Sequence, residues 1–153
     1  MIKCTFSNGN RTDSLRHVVM DAVVEKNKRI LLIERADFLE TEPGKLALPG
    51  GYLEKNETTK QGILRELQEE TGLTGKVIRL YKILDKPDRT GDLGRQNVSF
   101  VYLIKPFKKV AEPDQESKKA YWLTYAEINR KKHLIGFDHY KRILKPYIQE
   151  RVN

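Results

Sequence analysis

The stretch that most constrains this chain is Arg65-Glu-Leu-Gln-Glu-Glu-Thr-Gly72, preceded by Glu57. Thr58 and Gln61 stand at the spacing of a capping box and Gly72 offers a left-handed stop, so the segment between them is predicted to be a helix. On a helical wheel of about 100° per residue with Glu66 at zero, Glu69 falls at about −60° and Glu70 at about +40°. Ile63, Leu64 and Leu67 occupy about 60° to 160°, so three carboxylates share a face beside an apolar one. Glu66 and Glu70 are i,i+4 neighbours near the negative end of the helix, where like charges repel. A divalent cation removes the conflict, because carboxylate oxygens are hard ligands that suit Mg²⁺ or Mn²⁺. Magnesium also keeps positions for water and phosphate oxygens, which points to an enzyme acting on phosphates. Arg65, four residues before Glu69, is within reach of its carboxylate. The competing reading is a solvated acidic helix face, and periodicity alone does not separate the two.

The flanking sequence supplies a sheet. His17–Val24 and Arg29–Glu34 are rich in β-branched and aliphatic residues and read as a hairpin turning at residues 25–28. Residues 36–50, with Pro43, Gly44, Pro49 and Gly50, read as an ordered loop. Lys76–Leu84 and Asn97–Ile104 read as strands separated by the loop 85–96, and Ala120–Leu123 as a short last strand. Near the start, residues 7–14 read as a polar loop after a short first strand. Asp138 is the expected N-cap of an amphipathic closing helix through Tyr140, Ile143, Leu144, Tyr147 and Ile148, with a kink at Pro146. Strands on both sides of a central helix, with a second helix at the end, predict an α/β fold: a mixed sheet between helical layers. At 153 residues, with 39% hydrophobic residues, a single domain spanning 1–153 with a real core is expected.

A lone cysteine, Cys4, read as a small buried hydrophobe, excludes an internal disulfide. The first residues lack a signal-type apolar run, and no stretch approaches the roughly 18 apolar residues of a membrane helix. These features predict a soluble, cytoplasmic protein with no membrane partner. His17, His133 and His139 show no metal-ligand spacing.

Gly51, five residues, Glu57, seven residues, Arg65-Glu66-Leu67, one residue, Glu69-Glu70, one residue, Gly72-Leu73: this spacing over residues 51–73 resembles the Nudix box. Seven of its positions demand one amino acid, so a chance match is of the order of one in 10⁸ per start site. The strand pair before the box, the lead-in Gly44-Lys-Leu-Ala-Leu-Pro-Gly-Gly51, the Trp122 strand and the closing helix also look like the MutT-like Nudix domain. The resemblance implies a Nudix-type α/β/α sandwich with a mixed central β-sheet. It further implies a Mg²⁺-dependent hydrolase, with Mn²⁺ as a substitute, that cleaves the pyrophosphate of a nucleoside diphosphate linked to a group X. On that resemblance Glu66, Glu69 and Glu70 are the metal ligands, the Gly50 carbonyl adds another, and Glu57 lies behind them or binds an additional ion. Arg65 orients the glutamates. The proton goes to a box glutamate, Glu66 or Glu69, or to a loop acid, Glu116 or Glu112, whose plainer reading is solvent exposure.

Pro87, fifteen residues after Gly72, resembles a mark of the ADP-ribose pyrophosphatase branch, although Thr90-Gly-Asp-Leu-Gly94 departs from that branch's short Asp-Pro-Arg-Gly loop. The implied substrate is ADP-ribose or a related nucleotide sugar, with Pro87, Arg89 and Arg95 at the substrate and the two arginines gripping phosphate. The rivals are an ordinary or oxidised nucleoside triphosphate, a dinucleoside polyphosphate, an RNA 5′ end, or a non-catalytic nucleotide- or RNA-binding module. Tyr81, Phe100, Tyr102 and Trp122 are read as core aromatics ahead of stacking platforms. The branch contains many dimers, so a homodimer is allowed. The net charge of +8 divides into −2 over residues 54–70 and +10 elsewhere. A basic surround favours the approach of a polyphosphate, and RNA is the less favoured partner.

Overall fold

A computed structural model describes residues 2–5 and 12–152, with side chains from Leu15 onward. Residues 7–11 of the expected N-terminal loop and the side chain of Cys4 lie outside the described residues. The strands β1 (Ile2–Thr5) and β2 (Thr12–Leu15) pair antiparallel, so Thr12-Asp-Ser14 is strand where a loop was expected. Backbone pairing there overrides a polar side-chain pattern.

The centre of the molecule is β3 (Val18–Lys26), which turns at Asn27-Lys28 into β4 (Arg29–Arg35). Both turn residues are left-handed, at φ 52° and 57°, which matches the twist of a two-residue hairpin. β3 runs parallel to β8 (Val98–Lys109) over Val18–Val24 and antiparallel to β6 (Gly50–Tyr52). β4 pairs with β5 (Leu46–Ala47) and with β9 (Ser117–Thr124), and β7 (Leu73–Leu84) flanks β8. The result is a mixed seven-stranded sheet. Two short strands, β5 and β6, therefore interrupt the expected loop 36–50.

Alternation along the strands builds a core on each face. Met20, Ala22, Val24, Leu31, Tyr102 and Ile104 pack with Ile63 and Leu67 of α1 (Thr59–Thr71). Val23, Ile30, Leu32, Val101 and Leu103 pack on the other face against Ile128 of α2 (Tyr125–Arg130) and against Tyr147 and Ile148 of α3 (Lys145–Val152). The expected α/β/α sandwich is observed. The aromatics sit in these cores: Tyr102 bonds Thr59 Oγ1 at 2.6 Å, Phe100 and Trp122 pack beside α1, and Tyr81 donates to Glu150 at 2.8 Å.

α1 begins at Thr58 through the capping box with Gln61 and stops at left-handed Gly72. The closing segment differs from expectation at its start. Asp138 makes no side-chain cap; its carboxylate instead receives Arg89 and Arg142, and residues 140–144 wind as a π-turn into α3. Pro146 has no N–H for the Arg142 carbonyl, and Lys82 Nζ donates to that oxygen at 3.1 Å in its place.

Candidate active site

Glu66 and Glu69 of α1 line a cleft of about 350 Å³ bordered by the ends of β3, β4 and β6 and by the segments 89–97, 114–116 and 137–139, and Glu70 lies outside that lining, bonded to Gly50, which does line it. Their burial follows the wheel: Glu70, nearest the apolar stripe, is 3% exposed, the Glu66 side chain 14% and that of Glu69 48%.

Arg65 is the hub. Its Nε and Nη2 bond both oxygens of Glu57 at 3.1 and 2.8 Å, and Nη2 also reaches the Tyr52 carbonyl at 3.1 Å. Nη1 is shared between Glu66 Oε1 and Glu69 Oε2, each at 2.9 Å. Only a planar fork of donors can hold three carboxylates and a carbonyl at once. Glu57 is thus taken up by Arg65 and does not line the cleft, which differs from a ligand facing an ion.

Glycines set the distances. The Gly50 N–H donates to Glu70 Oε2 at 2.8 Å, and a Cβ at Gly50 would stand 2.1 Å from the Met20 carbonyl. A Cβ at Gly51 would stand 2.4 Å from Glu66 Oε1, so only glycine lets that carboxylate lie against β6. The loop before Gly50 is pinned from behind. The Leu48 N–H donates to His139 Nδ1 at 3.2 Å, and His139 Nε2 lies 3.1 Å from Asp21, whose other oxygen accepts from Ser99. Burial pushes Asp21 up, but His139 and Ser99 outweigh it and hold the carboxyl below its ordinary range. His139, without a role in the sequence reading, therefore supports the segment that carries Gly50.

Among the described residues no three acidic, His or Cys side chains are gathered into a finished metal cage. Arg65 holds Glu66 and Glu69, and the Gly50 N–H holds Glu70. The donor set nonetheless fits a hard cation. Burial pushes Glu70 well above its ordinary value, with Glu66 and Asp114 adding to it. Burial likewise pushes Glu66 up to about 7 against the pull of Arg65. Buried carboxylates short of positive charge are what a divalent ion would satisfy. For an acid with a raised folded value, stability is present below its unfolded pKa and lost as pH rises through the folded one. The metal-free protein is expected to lose roughly 2–4 kcal/mol between pH 5 and 8 from Glu66, and saturating Mg²⁺ to flatten that slope in urea melts.

The other expected residues scatter. Glu116 lines the cleft, held by its N–H on Asp114 at 2.9 Å, and Asp114 is tied to the Glu69 carbonyl at 2.7 Å. Glu112 stays outside the lining, exposed and paired with Lys109. Arg95 lines the cleft mouth, ion-paired with Glu40 and donating to the Tyr52 hydroxyl at 3.3 Å. Pro87 is exposed in a turn outside the lining, so it shapes the loop without bordering the cleft. Arg89, expected to grip phosphate, lines the cleft but is neither an exposed loop arginine nor an unpaired one. Its side chain is 6% exposed, Asp138 takes Nε and Nη2 at 3.0 and 2.7 Å, and Asp21 and Asp92 add negative field. A phosphate would meet three carboxylates there. Sequence reading missed Arg35, which lies in the cleft with its guanidinium 5.1 Å from the Phe137 ring centroid and within the field of Glu70 and Glu116. Its position at the end of an aliphatic strand, directly before a loop, was the available signal.

The Nudix domain profile matches residues 15–143. An ADP-ribose pyrophosphatase from Methanocaldococcus jannaschii is 34% identical over 86% of this chain and 73% of its own length. A MutT-like protein from Streptomyces ambofaciens is 34% identical over 74% of this chain and 66% of its own. A Nudix hydrolase structure from Nitrosomonas europaea superposes with a TM-score of 0.71 at 25% identity, covering 79% of this chain and 80% of that one. No helix among the described residues is long and apolar enough to cross a membrane. With the profile running from the first cleft strand to the closing segment, and with the box glutamates gathered on the helix that faces this cleft, the chain belongs to the Nudix family of hydrolases.

Proposed function

We propose that this chain is a Mg²⁺-dependent pyrophosphohydrolase acting on a nucleoside diphosphate linked to a further group, with ADP-ribose or a related nucleotide sugar as its substrate. The observation that carries the reading is one cleft lined by Glu66, Glu69 and the guanidinium groups of Arg35 and Arg95, with the buried Glu70 held on the Gly50 N–H at its edge and within the field of Arg35. The similarity to the Methanocaldococcus jannaschii ADP-ribose pyrophosphatase supports the choice of substrate.

Glu66, Glu69 and Glu70 would hold the cation, with the Gly50 carbonyl as a further donor and Mn²⁺ as a substitute ion. A bound divalent ion supplies charge neutralisation and lowers the pKa of water there. Arg65 keeps three carboxylates in register, so the ligands need little rearrangement. Arg95 at the mouth and Arg35 deeper in would take the non-bridging oxygens, Arg95 exchanging the exposed Glu40 for phosphate. The oxygen of water bonds to one phosphorus, the bridging P–O bond breaks with its electron pair leaving on oxygen, and the proton of the water passes to Glu116.

A substrate panel tests this reading: ADP-ribose, nucleotide sugars, nucleoside triphosphates, dinucleoside polyphosphates and triphosphorylated RNA, each with Mg²⁺ and with Mn²⁺. The expected result is release of AMP and ribose 5-phosphate from ADP-ribose at the highest kcat/KM. A clear preference for a triphosphate or for RNA would overturn the substrate assignment.

A further inference from the structure

We propose that the buried side of the cleft is a nucleobase subsite, in which Asn97 and Arg89 read a base edge carrying one donor flanked by two acceptors, the pattern of adenine and of uracil. The proposal rests on the hydrolase reading for its setting and adds what selects the nucleoside.

Two polar atoms carry it. Arg89 Nη1 and Asn97 Oδ1 are both buried without a hydrogen-bond partner, both residues line the cleft, and their exposures are 6% for the Arg89 side chain and 8% for Asn97. A buried donor and a buried acceptor left unmade are each costly, so their coincidence in one cleft calls for a ligand that offers both. The ligand is uncharged at this point. Arg89 is already neutralised by Asp138, and Asp21 and Asp92 repel an anion.

The hydrogen-bond inventory then narrows the chemistry. The carboxylates of the three aspartates that act on Arg89 are engaged: that of Asp92 by the N–H groups of Gly94 and Asn97, that of Asp138 by Arg89 and Arg142, that of Asp21 by His139 and Ser99. Among these groups the buried acceptor left unpaired is Asn97 Oδ1, with the amide NH₂ of the same side chain and Arg89 Nη1 as donors. Adenine presents its 6-amino group between N1 and N7, and uracil its N3–H between two carbonyls, each matching that set. Guanine presents two adjacent donors, N1–H and the 2-amine, to a single acceptor.

The backbone holds this edge in place. Gly91, Leu93, Gln96 and Phe137 all adopt left-handed φ, of 83°, 55°, 56° and 54°. A Cβ on Gly91 would stand 2.9 Å from the Phe137 Cα, so the loop ahead of Asn97 is fitted directly onto the segment that carries Phe137. Three non-glycine residues in this conformation mark a site whose shape is enforced by its surroundings.

Calorimetric titration of AMP, UMP, GMP and CMP into wild type, Asn97→Ala and Asn97→Asp tests it, with melting curves to establish that each variant is folded. In wild type, AMP and UMP are expected to bind at least about tenfold tighter than GMP. Asn97→Ala should flatten the preference, and Asn97→Asp, which replaces a donor with a second acceptor, should turn it toward GMP. Equal binding of all four by wild type, or an unchanged order in Asn97→Asp, overturns the subsite. Hydrolysis of ADP-ribose is followed in parallel. Base-selective binding without turnover sinks the hydrolase reading and leaves the subsite standing, whereas turnover without base selectivity does the reverse.

Discussion

Replacing Glu70 with Gln is expected to lower kcat by at least about 10³-fold while leaving the metal-free protein as stable as wild type or more so. The two effects have one cause. Glu70 is 3% exposed and its carboxyl is pushed well above its ordinary value by burial. A carboxamide keeps the acceptor that the Gly50 N–H needs at 2.8 Å and removes a charge whose burial is costly. It also removes an anionic oxygen from the proposed ion. Kinetics and urea melts at pH 8 check the pair: activity lost with stability retained identifies a functional carboxylate, and both lost together would make Glu70 structural.

Replacing Arg65 with Ala should act in the opposite way on stability. The guanidinium joins Glu57, Glu66, Glu69 and the Tyr52 carbonyl, and the side chain is only 24% exposed. Its removal leaves a cluster of acids without a counter-charge, expected to cost about 3–5 kcal/mol of folding stability and about 10²-fold in kcat. Lys at this position restores the charge and not the fork, so Arg65→Lys should recover part of the stability and little of the rate. Melting temperature and kcat/KM of both variants, measured with and without Mg²⁺, test this. Full rescue of rate by Lys would show that only the charge matters.

The central helix could be read in advance because its signals are local. Thr58, Gln61 and Gly72 mark its ends, and a wheel orders Glu70, Glu66 and Glu69 by burial before any packing is known. α2 escaped notice although Thr124 and Glu127 form a capping box at its start, because six residues are too few for a periodic pattern. β5 and β6 are shorter still and exist only through their partners β4 and β3. The fates of Arg89 and Asp138 depend on a pair 49 residues apart in sequence, and no local pattern announces such a contact. Asp138 looked like a helix cap for the same reason: its type fits a cap, and only the fold brings two guanidinium groups to it. The Arg95 loop, Arg35, Asp114 and Phe137 meet at the cleft through sheet topology, which spacing along the chain does not encode.

The most direct measurement is ADP-ribose hydrolysis by protein freed of metal with a chelator, assayed before and after Mg²⁺ is restored. Turnover should be absent with chelator, return with Mg²⁺ in wild type, and fail to return in Glu70→Gln. Undiminished hydrolysis in the presence of excess chelator would contradict a cation held by the carboxylates of α1.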